Sequence, residues 1–143
     1  MGKSAPTVFC GQQVPNSTGV AASLAGIGST NTGLSFLRLE AGSMPQGQFG
    51  NFLASQTQGF SQQPGRSQGK LCLGGSIALY NADVFATGAR VAASLTLDLA
   101  DVPAPMGSVP VLSGETWSFQ AWFRDANPAA TSKFTTGLSL TCD

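Results

Sequence analysis

Apolar and polar residues alternate with a period of two along several stretches, the pattern of a half-buried β-strand. Trp117, Phe119, Ala121 and Phe123 alternate with Ser118, Gln120, Trp122 and Arg124, and Leu95, Leu97 and Leu99 with Thr96 and Asp98. Further strands are predicted over 20–27, 34–40, 49–56, 72–80 and 138–142, with short ones at 7–10 and 109–112. No window carries a helical period. The alanine-rich stretch 84–94 comes nearest, but Val84, Val91, Thr87 and Gly88 argue against a helix there. Met44-Pro45-Gln46-Gly47, Gln63-Pro64-Gly65, Pro103-Ala104-Pro105-Met106-Gly107 and Ser113-Gly114 carry turn chemistry. The longest loops are expected over 57–70, 100–108 and 125–136. Eight or nine short strands joined by such turns predict an all-β fold, an antiparallel sandwich of jelly-roll or immunoglobulin-like type.

Composition narrows the classes. A chain of 143 residues fits one domain, and no repeat or linker divides it. The domain is expected over 5–143, with 1–4 a leader that precedes no apolar h-region. Charged residues make up only 10%, against roughly 25% in ordinary domains. The net charge is zero, which supplies no drive toward nucleic acid. No run of about 20 apolar residues predicts a membrane span. The surface this implies is hydrogen-bonding rather than ionic, and points to secretion. There is no histidine, so Ser-His-Asp and Cys-His catalysis and imidazole metal sites are excluded.

The remaining motifs each have a plain structural reading. Gly65 to Lys70 is one residue short of a phosphate loop and has Leu71 where a Mg²⁺-binding hydroxyl is needed, so it reads as a turn. The carboxylates are scattered, whereas a glycosidase needs two at a defined separation. No metal site is expected; the weak calcium candidates are Asp98 with Asp101, and Asp125 with Asn127, which equally serve as turn caps. Asn16-Ser17-Thr18 matches a glycosylation sequon.

Trp122 is the most informative side chain. It falls on the face of its strand opposite Trp117, Phe119 and Phe123, beside Gln120 and Arg124. An aromatic ring among amides and a guanidinium can stack on a sugar while its neighbours bind hydroxyls. It can equally lie beneath a loop with Arg124 stacked on it. Trp122, Gln120, Arg124 and Tyr80 form the candidate ligand-binding set, and exposure of Trp122 and Tyr80 separates the readings. The segment with Gln56, Gln58, Gln62, Gln63, Gln68 and Phe60 reads either as a glycan-binding loop or as a solvated one.

Three longer runs carry a resemblance. The run from Pro64 to Ile77 is similar to "PGGSQGNLCLGGSIG", that from Gly114 to Asp125 to "GETWNFQAWYRD", and that from Thr131 to Thr135 to "TSNFT". Together they resemble a carboxy-terminal module of large secreted proteins in planctomycete-like and myxobacterial-like bacteria, over about 10–140. This chain departs from that pattern at Lys70, where Asn is usual, near Leu79, where Arg is often found, and at Cys142. The resemblance implies an extracellular appended module and no chemistry. It also implies a Cys10–Cys72 disulfide, because both positions fall in the pattern and Cys142 does not. The residues alone leave Cys10–Cys142 open, since first and last strands are often neighbours in sandwiches.

The expected function is non-catalytic binding of an extracellular polymer, foremost carbohydrate, by a monomeric module with no cofactor. The alternative is a structural, sorting or adhesion module that contacts other proteins. A hydrolase without histidine would need a pocket with two carboxylates about 5 to 10 Å apart.

Overall fold

The computed structural model describes residues 7–10, 15–16, 18–28, 37–62, 70–75, 77–80, 85–87, 93–97, 102–104, 107–109, 114–126 and 130–141. These residues form antiparallel strands and no helix. The strands are β1 Thr7–Phe9, β2 Ser23–Gly28, β3 Leu37–Gly42, β4 Phe49–Ser55, β5 Thr57–Gln62, β6 Lys70–Gly74 and β7 Ala78–Leu79. They continue with β8 Phe85–Ala86, β9 Ala93–Leu97, β10 Val102–Ala104, β11 Gly107–Val109, β12 Thr116–Ala126, β13 Ala130–Phe134 and β14 Gly137–Thr141.

The all-β antiparallel class is as the alternation predicts, but the described residues form more strands than the eight or nine expected. All three expected long loops contain pairing. β5 lies in 57–70 and pairs with β6, β10 and β11 form a hairpin in and beyond 100–108, and β13 lies in 125–136 and pairs with β12. These strands are polar, glycine-bearing or only three residues long, so periodicity is weak in them. They are held by their partners rather than by intrinsic preference.

β12 is the axis of the molecule. Its first half pairs with β14 through Trp117↔Leu140 and Phe119↔Leu138, and its second half with β13 through Trp122↔Phe134 and Phe123↔Lys133. β4 lies along its other side, with Phe119↔Ala54 and Ala121↔Phe52. With β1, β7 and β8 these strands make a seven-stranded sheet. β2, β3 and β9 make a separate three-stranded sheet.

The two sheets enclose one core. Trp117, Phe119, Ala121 and Phe123 are buried on the inner face of β12 and pack with Phe52, Ala54, Leu138 and Leu140 of the same sheet and with Leu24, Leu39 and Ala41 opposite. At one edge Thr136 stitches the sheets together: the Leu24 N–H donates to Thr136 Oγ1 at 3.1 Å, and the Thr136 N–H to the Ala22 carbonyl at 3.2 Å.

A third layer covers part of the outer face of the large sheet. The β5–β6 hairpin packs there, with Leu73 meeting Leu53 and Phe134. It is pinned by Ser55 Oγ donating to the Gly74 carbonyl at 2.7 Å and by Gln58 Nε2 donating to Ser118 Oγ at 3.4 Å. β4 is therefore buried on both faces from Gly50 to Ser55.

Cys10 and Cys72 form a disulfide with Cα atoms 5.9 Å apart, which ties the segment after β1 to β6. Cys142 lies outside the described residues. The sequon asparagine serves the fold: Asn16 is buried, its amide donates to the Ser43 carbonyl at 2.7 Å, and its Oδ1 accepts from the Thr18 backbone N–H at 2.9 Å. Ser43 has a left-handed backbone with φ of 59°, so Asn16 holds a strained turn.

Candidate functional site

Alternation along β12 sends Ser118, Gln120, Trp122 and Arg124 to the outer face, and the third layer divides them. Ser118 and Gln120 lie beneath the β5–β6 hairpin and are buried, while Trp122 is half-buried at its margin and Arg124 is exposed. The cause is length: β12 runs eleven residues, and the five-residue β6 covers only part of it.

Gln120 is fully buried and bonded within the protein. Its Oε1 accepts from the Cys72 backbone N–H at 2.9 Å. Its Nε2 donates to the Lys70 and Thr135 carbonyls, both at 2.8 Å. Both N–H donors and one acceptor position of the amide are directed into the protein. Tyr80 is also buried, within the main core on the other side of the sheet, so it does not join Trp122 in one surface.

Trp122 and Arg124 do meet. The Arg124 guanidinium carbon lies 5.4 Å from the centroid of the Trp122 ring, a cation–π arrangement at the protein surface. Beside the ring opens a shallow groove of about 400 Å³ lined by Leu53, Leu71, Ile77, Leu79, Trp122 and Phe134. Leu79 is 46% exposed on its rim. The groove lies at the Lys70 end of β6, where Leu71 is the β6 side chain beside Trp122, and the two-residue β7 borders it through Leu79. Alternation found Trp122 and Arg124. It missed Leu53, Leu71, Ile77, Leu79 and Phe134, which come from four other segments and meet only through pairing.

The outer face of the small sheet differs in chemistry. There a trough of about 520 Å³ is lined by Ser23, Ala25, Glu40, Ala41, Gly42, Ala93 and Ser94. Ala25, Glu40 and Ser94 form one cross-strand row, and Arg38 pairs with Glu40 at 2.8 Å.

Of the calcium candidates, Asp125 is buried and its Oδ2 lies 3.5 Å from Lys133 Nζ. Asp98, Asp101 and Asn127 lie outside the described residues. Among the described residues no three His, Cys, Asp or Glu side chains converge, and no helix is long and apolar enough to cross a membrane. Phe60 of the glutamine-rich segment is 64% exposed, and Gln56 reaches Glu115 at 3.3 Å.

No protein-family model, curated protein or solved structure matches this chain.

Proposed function

We propose that this chain is a non-catalytic extracellular contact module that grips another protein through the Trp122 groove. The observation that carries the reading is the lining of that groove. Six apolar side chains surround it, and the amide that would have bound a sugar hydroxyl, Gln120, is committed to β6. A sugar placed there would leave its hydroxyls without partners, at a cost of roughly 1–3 kcal/mol each. A large apolar side chain loses nothing comparable and gains its full transfer energy. Arg124 brings a positive charge over the Trp122 ring beside the groove, and among the described residues no carboxylate pairs with it. The partner segment is therefore an apolar residue followed closely by Asp or Glu. A disulfide joining the first strand's segment to β6 suits an oxidising compartment and supports secretion.

Selection of a displayed random-peptide library on the folded protein tests this. The expected result is enrichment of a large apolar residue beside an acidic one, lost in Leu79→Asp and weakened in Arg124→Gln. Peptides that bind Leu79→Asp as well as the parent would overturn the site.

Carbohydrate binding is the second reading, and the small-sheet trough favours it. Glu40, Arg38, Ser23 and Ser94 supply donors and acceptors on a flat face. Retention on an insoluble polysaccharide that is lost in Glu40→Ala and kept in Leu79→Asp would establish it and displace the protein-contact reading.

A further inference from the structure

We propose that Lys133 and Asp125 are a site of covalent self-modification, joined by an amide between the Lys133 Nζ and the Asp125 carboxyl. Lys133 lies opposite Phe123 in the β12–β13 register, and Asp125 is two residues beyond Phe123. Residues directly opposed, and residues two apart, share a face, so both side chains point to the inner side of the large sheet. Their side chains are 1% and 0% exposed, and Nζ stands 3.5 Å from Oδ2. Lys133 is among the largest fully buried side chains of the protein.

That arrangement is costly as an ion pair. Lysine and aspartate are almost never fully buried unless paired, and even in a pair each charge removed from water carries a penalty of several kcal/mol. Attraction offsets this only with close geometry, and tight ammonium–carboxylate contacts measure about 2.7–2.9 Å. At 3.5 Å the pair falls short of that contact. An amide removes both charges and keeps both side chains where they are.

The chemistry balances without a further reagent. The ammonium passes one proton to the carboxylate, which leaves a neutral amine beside a carboxylic acid. The amine lone pair attacks the carboxyl carbon and forms the N–C bond. A second amine proton moves to the acid hydroxyl, the C–O bond breaks, and one water leaves. β-Pairing holds amine and acid in one orientation, and such fixed neighbours react as if at effective concentrations of about 10⁵ M or more. The excluded solvent lets the water depart and keeps it from returning. The product closes the β12–β13 hairpin covalently, an advantage for a module exposed to proteases.

Mass spectrometry of the reduced, denatured chain reads the bond directly. The expected mass is lower than that of the sequence by one water. Trypsin cuts after Arg124 and cannot cut after an acylated Lys133, so one peptide should span 125–143, also lighter by one water. Fragment ions should place the link on Lys133. Lys133→Arg should restore the full mass and separate the bond from an aspartyl succinimide, which loses the same water. A full-mass native chain cut after Lys133, or a water loss that survives Lys133→Arg, would overturn the proposal. The native peptide decides the question even where the variant does not accumulate.

Discussion

The Cys72 backbone N–H donates to Gln120 Oε1 at 2.9 Å, so the strand that carries the disulfide is anchored to the centre of the large sheet by one buried amide. Two further bonds from Gln120 Nε2 reach β6 at Lys70 and the β13–β14 junction at Thr135. Gln120→Leu keeps the bulk but removes three buried hydrogen bonds, one from the Cys72 N–H and two to the Lys70 and Thr135 carbonyls. Each buried group left unpaired costs roughly 1–3 kcal/mol, so the total should reach about 3 kcal/mol. Denaturant unfolding of the two proteins measures it, and a loss below about 1 kcal/mol would show that Gln120 does not hold the third layer.

Phe119 is fully buried between β14 and β4. Phe119→Ala opens a cavity in the main core and should cost about 3–5 kcal/mol. The far-ultraviolet spectrum of the folded protein should show strand without helix. A helical spectrum would contradict the fold at its foundation.

The inner face of β12 was legible because every second residue is large and apolar. The outer face was not, because Ser118 and Gln120 look like solvent-facing residues in any window of sequence. Their burial depends on a hairpin whose own strands read as loop: β5 is Thr-Gln-Gly-Phe-Ser-Gln and carries no alternation. Lys133 is a second case. A lysine reads as surface wherever it stands, and only the diagonal placement of Asp125 across β12–β13 makes its burial intelligible. The groove was half legible. Trp122 and Arg124 stand out within one strand, while Leu53, Leu71, Ile77, Leu79 and Phe134 gain meaning only when four segments converge. Local pattern carries the faces of single strands; it does not carry which strands cover which.

The disulfide gives a direct comparison. Cys10 and Cys72 are separated by 62 residues, and closing a loop of that length stabilises by about 4 kcal/mol in the chain-entropy model. Non-reducing peptide mapping should return a Cys10–Cys72 peptide. Reduction, or Cys10→Ser with Cys72→Ser, should lower the denaturation midpoint accordingly. A Cys10–Cys142 peptide would contradict the packing of β6 against the β1 end.

The two tryptophans should respond differently to solvent. Trp117 is 3% exposed, while Trp122 is half-buried at the groove. Acrylamide should quench the fluorescence of a Trp117→Phe protein well and that of a Trp122→Phe protein poorly. Trp122→Ala should cost only about 1–2 kcal/mol, since part of the ring already meets water. Equal quenching of both proteins would mean that the groove is closed in solution.

Gly50 tests the large sheet from a different side. It sits in β4 opposite Phe123, and β8 brings the ring of Phe85 over it. A Cβ at Gly50 would run into the Phe85 ring and the backbone carbonyl oxygen of Trp122. The ring could swing away, but the carbonyl belongs to the β12 backbone and cannot. Phe85 also packs against Phe52 with ring centroids 5.3 Å apart, so its displacement would disturb the core. Gly50→Ala should therefore destabilise by about 1–3 kcal/mol, the range of overpacked cores, although alanine normally improves on glycine in a strand. Gly47 is a control of another kind: open space surrounds it, but its φ of 70° strains any side chain. Phe85→Leu should recover part of the Gly50→Ala loss by freeing room for the methyl, and should recover nothing for Gly47→Ala. Equal recovery in both backgrounds would show that Phe85 does not close over Gly50.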